Sequence, residues 1–229
     1  MLAWASVQRA LGRSVPGLHM RSFWKGLEKE LSMRRGGARG VDARFSGLKA
    51  SYRDLVRRIV ESFNAADLDY MFTGAVAASF YGVPRTTMDV DIIVDVSNQD
   101  QRVKLVSVLR QIGLWADEKK IGVALKSRHR LALLRDSKSP YSVDVIFSRG
   151  KRLKKRTGTI EGSPTFFQAP EDLILAKLRM IKAAVPRERA LKDEEDVKAI
   201  LKFTKVNVET VRKQARRNST LLIFNSITA

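Results

Sequence analysis

The chain has no cysteine and only two histidines. A disulfide framework and a thiolate metal site are therefore excluded, and a histidine-built zinc centre is disfavoured. Any metal must be held by oxygen, which favours magnesium or manganese. Acids are scarce too: 24 Asp and Glu stand against 43 Lys and Arg, a formal charge of +19. Such an excess points to a polyanionic partner, RNA, DNA or nucleotide phosphates, without choosing among them. Long apolar runs are also missing. The longest candidate, Tyr70 to Val83, has 14 residues and two glycines, short of the 18 or so that a membrane span needs. A soluble, cytoplasmic protein with no membrane partner is expected. What is present, 229 residues of which 44% are hydrophobic, suffices for one good-sized core or two smaller lobes.

The first 27 residues carry Arg9, Arg13, Arg21 and Lys25 but no acid, a composition like that of an organellar presequence. An over-long start, with Met20 or Met33 as the initiator, is preferred, because serine is modest and Arg34 to Gly40 reads as disordered basic linker. Apolar residues from Leu48 to Phe63 recur at spacings of three and four and predict an amphipathic helix over 49 to 65. Leu68 to Thr73 read as a short buried strand running into Gly74, Ala75 to Tyr81 as a helix ended by Gly82-Val83-Pro84, and Met88 to Val96 as a second strand. Ser97-Asn98 cap a helix stopped by Gly113; Ile121 to Leu125, Arg130 to Leu134 and Tyr141 to Phe147 are further predicted strands. Six of the eight residues Arg149 to Arg156 are basic, a loop placed to meet phosphates. A polar segment, Thr157 to Ser163, and a short strand, Pro164 to Phe167, follow. Composition then turns helical: Pro170 to Ala184 with Leu173, Met180 and Ala184 inward, Arg187 to Phe203, and Val208 to Arg217. Three parts are expected: a basic, disordered extension over 1–45, an α/β core over 46–168 and a helical region over 169–229.

One stretch departs from what folding alone asks. Asp89 and Asp91 sit two apart in a β-branched run, so strand periodicity puts both carboxylates on one face, roughly 7 Å apart. They repel one another unless a cation sits between them; otherwise the pair is a wet strand end. Glycine before them, Gly74, can let backbone N–H groups approach a triphosphate, and Asp144 stands as an isolated acid between Val143 and Val145 on a later strand. Three convergent carboxylates can hold two Mg²⁺ ions about 3.5–4 Å apart.

Gly74-Ala75, then Asp89-Val90-Asp91, then Asp144 resembles the nucleotidyltransferase superfamily with the DNA polymerase β-type fold. The string Gly82-Val83-Pro84-Arg85-Thr86-Thr87-Met88-Asp89-Val90-Asp91 resembles the AbiEii-like toxin subgroup, as do Pro170-Glu171-Asp172-Leu173 through Lys177-Leu178 and Lys192-Asp193-Glu194-Glu195-Asp196. The resemblance covers residues 68 to about 203 and implies an α+β fold: a small mixed sheet flanked by helices, followed by a C-terminal helical part. It implies a Mg²⁺- or Mn²⁺-dependent enzyme that moves a nucleoside monophosphate from an NTP to an acceptor, with RNA or tRNA favoured by the charge, and an antitoxin partner as in toxin–antitoxin pairs. Asp89, Asp91 and Asp144 would be catalytic and metal-holding; Gly74, Ala75, Arg85, Thr87 and Lys177 would contact nucleotide.

Ala75 departs from the pattern, since many relatives have Ser or Gly there, and a hydroxyl contact to phosphate is lost. Arg85 reads equally as a phosphate contact or a solvated loop residue, and Lys177 as a phosphate lysine or an exposed helical one. Asp193 and Asp196, beside Lys192, read as ordinary salt-bridging residues, and Tyr81 is the aromatic candidate for base stacking. Adenylylation of a small molecule or protein, or a catalytically silent nucleic-acid-binding module of the same fold, are the alternatives.

Overall fold

The computed structural model describes residues 42–82, 87–148 and 153–228, with side chains from Tyr52 onward except Arg189. Almost all of the expected extension, Arg85, and the first part of the basic run lie outside the described residues.

Helix α1 (Asp42–Ala65) leads into β1 (Tyr70–Phe72), α2 (Gly74–Phe80) and β2 (Asp89–Val94). Helices α3 (Gln99–Gln111) and α4 (Glu118–Lys126) precede β3 (Leu131–Arg135), β4 (Ser142–Phe147), β5 (Lys155–Ile160) and β6 (Ser163–Gln168). The chain ends in α5 (Pro170–Ala183), a 3-10 turn (Arg187–Ala190), α6 (Leu191–Phe203), α7 (Val208–Arg217) and α8 (Leu221–Thr228). One mixed sheet runs β3-β4-β2-β1-β6-β5. Its parallel pairs are β2 with β4 and β1 with β6, and the other neighbours are antiparallel. This is the mixed, helix-flanked architecture expected of the sequence.

The sheet is two-faced because its central strands alternate. Val90, Ile92 and Val94 of β2 and Val143, Val145 and Phe147 of β4 are buried. They join Leu55, Ile59 and Phe63 of α1 and Leu105 and Leu109 of α3 in one apolar cluster, each such side chain contributing about 1.5–3 kcal/mol on burial. The intervening residues Asp89, Asp91, Ser142 and Asp144 are only partly covered. Helices α5 to α8 add Leu173, Ile174, Leu178, Val197, Ile200, Val211 and Phe224 to the same cluster. Among the described residues no helix is long and apolar enough to cross a membrane.

Four expectations need correction. Ile121 to Leu125 lie in α4, not in a strand: Asp117 caps the helix by accepting from the Lys120 N–H at 2.9 Å, and Ile121 and Ala124, three apart, are the residues it buries. The run Ile-Gly-Val-Ala-Leu suits either period. The segment from Lys155 to Ile160 is a strand, not a loop; Glu161 and Gly162 both have positive φ and close a two-residue turn onto β6. Met180 is exposed, because Leu173, Ile174, Lys177 and Leu178 make the inward face of α5. The last helix, α8, had no counterpart in the sequence reading.

Candidate metal and nucleotide site

Parallel pairing of β2 with β4 sets the site. The register places Asp91 directly opposite Asp144 and Asp89 opposite Ser142, so the period-2 alternation of both strands brings all three aspartates to one face. One oxygen from each of Asp89, Asp91 and Asp144 can lie within 4.8 Å of the other two. Three anions this close repel. Burial pushes the Asp144 carboxyl above its ordinary range, and the negative charge of Asp89 pushes it further in the same direction. An all-oxygen, partly covered donor set of this kind suits a hard divalent cation, and the repulsion is what such a cation relieves.

Gly74 is explained by its neighbour. It takes φ +56°, and a Cβ there would overlap Asp91 Oδ2 and stand 2.7 Å from Asp91 Cγ. The Thr73 N–H donates to Asp91 O at 3.0 Å. Glycine therefore lets the β1–α2 turn press against the carboxylate, a role distinct from the triphosphate approach read from sequence. Ala75, next in the chain, is buried in α2, where its carbonyl accepts from Ser79 Oγ at 2.8 Å. Thr87 Oγ1 donates to Asp89 Oδ1 and accepts from the Asp89 N–H at 3.4 Å, so it holds one of the three carboxylates.

Lys177 is not exposed. Its ammonium is buried in α5 and donates to Asp193 Oδ1 at 3.0 Å and Asp196 Oδ2 at 2.5 Å on α6. The salt bridging expected of the two aspartates occurs, with Lys177 rather than Lys192 as the cation. Tyr81 is buried, and its hydroxyl donates to Gln168 O at 2.6 Å, which removes it as a stacking platform.

Sequence reasoning passed over Arg135. Its strand pairs antiparallel with β4, Leu133 opposite Asp144 and Arg135 opposite Ser142. Two rows thus cross the face, Leu133–Asp144–Asp91 and Arg135–Ser142–Asp89. At about 4.8 Å per strand, the exposed Arg135 is roughly 10 Å from Asp89 along its row. The alternation Leu131, Leu133, Arg135 is the available signal, one residue beyond the strand expected over Arg130 to Leu134.

No family model and no curated protein matches the chain. Solved structures do match in fold, among them two of one protein. The antibiotic-resistance factor ANT(2'')-Ia in solution is 14% identical with a TM-score of 0.54, over 79% of this chain and 99% of that one. The crystal structure of ANT(2'')-Ia in complex with adenylyl-2''-tobramycin is 14% identical with a TM-score of 0.51, over 78% and 99%. The likeness shows that this chain shares the fold of ANT(2'')-Ia, a mixed sheet flanked by helices.

Proposed function

We propose that the chain is a divalent-metal-dependent nucleotidyltransferase that moves a nucleoside monophosphate from an NTP to a hydroxyl of an RNA acceptor, tRNA included. The observation that carries this reading is the convergence of Asp89, Asp91 and Asp144 on one sheet face, within mutual reach of a shared ion. Asp89 and Asp91 would hold Mg²⁺ or Mn²⁺, with Asp144 completing the set. Such an ion supplies charge neutralisation for the triphosphate and for the departing pyrophosphate.

The chain's own residues do the rest. Gly74 keeps the β1–α2 turn against Asp91, fixing that carboxylate; Thr87 fixes Asp89. Asp144 takes the proton of the acceptor hydroxyl as its oxygen bonds to the α-phosphorus and the bond to pyrophosphate breaks. Arg135 and, from its position in sequence, Arg85 would meet phosphate oxygens. Lys177, engaged by two aspartates, holds α5 to α6 and supports the site from a distance rather than by touching nucleotide.

A small-molecule acceptor is the second reading, favoured by the neighbour bound to adenylyl-2''-tobramycin. An aminoglycoside is a polycation, and a chain of net charge +19 repels it; RNA is attracted by the same charge. Membership in the AbiEii-like group, with an antitoxin partner, rests on the motif resemblance and follows the same chemistry. Incubation with α-labelled NTPs, Mg²⁺ and total RNA tests the proposal: label should move to RNA. Transfer that persists in the Asp89→Ala/Asp91→Ala protein would sink it.

A further inference from the structure

The sheet ends at β3, and a cleft of about 920 Å³ opens between that strand and the α3–α4 connection, lined by Arg110, Trp115, Lys120, Leu131 and Leu133 among others. Its size is that of a ligand pocket, about 300–1,000 Å³. Trp115 is 75% exposed and Leu133 70%, so neither is part of the core. The backbone beneath the tryptophan is nonetheless pinned. The Trp115 N–H donates to Arg135 O at 3.0 Å, Arg110 Nε donates to Ala116 O at 2.8 Å, and Leu114 bridges to Asp136. A large aromatic ring is thus presented to solvent from a fixed segment.

The cleft adjoins the carboxylates. Leu133 lies directly opposite Asp144, and neighbouring strands are about 4.8 Å apart, so a ligand lying over Leu133 reaches Asp144 without further extension. Charge narrows the occupant. Arg110 and Lys120 line the cleft and are exposed, Arg135 follows Leu134 of its β3 wall, and Lys138 reaches Gly113 of its lining, whereas the acid among the lining residues is Asp117, which caps α4. A cationic rim around an aromatic face matches single-stranded nucleic acid, whose bases stack on aromatic rings while cations meet its phosphates.

We infer that this cleft receives the single-stranded, hydroxyl-bearing end of the RNA acceptor, with a base on Trp115 and Leu133 and phosphates toward Arg135 and Lys120. The terminal hydroxyl is thereby delivered to Asp144. The delivery rests on the transferase reading; the docking does not.

The test is anisotropy of a labelled single-stranded RNA octamer with the full-length protein, in chelator and at moderate salt, so that neither metal nor NTP contributes. Trp115→Ala should weaken binding about 5-fold or more, and Trp115→Phe should restore most of it. Arg135→Gln/Lys120→Gln should lower the slope of log affinity against log salt by about 1.4, at about 0.7 per single-strand phosphate contact. Duplex RNA of the same sequence should compete poorly. The exposed ring makes an unchanged melting temperature the expected control for Trp115→Ala. Wild-type affinity in Trp115→Ala, equal competition by duplex, or tighter binding of the equivalent DNA octamer overturns the inference. The Asp89→Asn/Asp91→Asn protein separates the two readings. If it binds the octamer in a Trp115-dependent way while wild type transfers no nucleotide, the docking stands and the transferase reading falls. If wild type transfers nucleotide but Trp115→Ala changes neither octamer affinity nor the KM for RNA, the docking falls alone.

Discussion

Replacing Gly74 by alanine perturbs the site through one methyl group. Gly74 sits at φ +56°, where an L side chain costs about 1–2 kcal/mol. Its Cβ would also stand 2.7 Å from Asp91 Cγ, whereas carbon atoms in contact prefer about 3.5–4.0 Å. The Asp91 side chain must therefore retreat by about 1 Å, adding overpacking of about 1–3 kcal/mol. The sum, about 2–5 kcal/mol, lowers the melting temperature by about 4–20 °C, at about 2–4 °C per kcal/mol for a chain of this size. Because the displaced group is a carboxylate of the site, Mn²⁺ affinity should fall about 10–100-fold, the range seen when the support of a metal ligand is lost. Gly162→Ala is the control. That glycine has φ +88° but no atom within 4 Å of the added carbon, so it should cost about 1–2 kcal/mol and leave Mn²⁺ binding unchanged. Calorimetric Mn²⁺ titration and thermal melts of both variants decide the matter. Unaltered Mn²⁺ affinity in Gly74→Ala, or an equal loss in Gly162→Ala, would show that Gly74 does not hold the Asp91 carboxylate in place.

Three further outcomes are expected. Lys177→Met leaves Asp193 and the buried Asp196 without their ammonium and should cost about 3–5 kcal/mol in urea unfolding. Lys177→Met/Asp193→Asn/Asp196→Leu should recover most of it, and a fully stable single variant would show that the lysine is not structural. Thr87→Val removes the hydroxyl that donates to Asp89 and should weaken Mn²⁺ binding by about 0.5–1.5 kcal/mol, with little change in melting temperature. Asp144 has a folded-state pKa raised by burial and by Asp89, so the native state binds its proton more readily than the unfolded chain. Stability of the metal-free protein should therefore fall as pH rises from the ordinary carboxylate value through the raised one. Metal-free Asp144→Asn should be more stable than wild type at pH 7, with the advantage vanishing below the ordinary carboxylate value and erased at pH 7 by saturating Mn²⁺. A variant less stable than wild type at pH 7 in chelator contradicts the electrostatic account.

Much of the site's framework was legible because strands write their faces with period 2. Asp89 and Asp91 could be assigned to one face, and Asp144 to the face opposite Val143 and Val145, before any pairing was known. What no local pattern could supply was register. That Asp91 meets Asp144, and that Leu133 and Arg135 stand beside them, follows from pairing across strands distant in sequence. The burial of Lys177 is hidden from the sequence for a related reason. A lysine on an apolar helix face reads as exposed or as functional until its partners, 16 and 19 residues onward, are seen to bury it. The strand at Lys155–Ile160 was hidden by its own basic and polar residues, although Glu161-Gly162 carried the hairpin signal. Short apolar runs such as Ile121 to Leu125 satisfy both helical and strand periods, and there the Asp117 cap was the deciding clue.

Three carboxylates on one sheet face should form a divalent-metal platform for an NTP. Electron paramagnetic resonance titration of Mn²⁺, with and without an NTP analogue that cannot be cleaved between its α- and β-phosphates, measures it directly. Mn²⁺ should bind the wild-type protein saturably, more tightly with the analogue, and be lost from Asp89→Asn/Asp91→Asn although that protein melts as a folded chain. Equal Mn²⁺ affinity in the two proteins, or wild-type binding indifferent to the analogue, would contradict it.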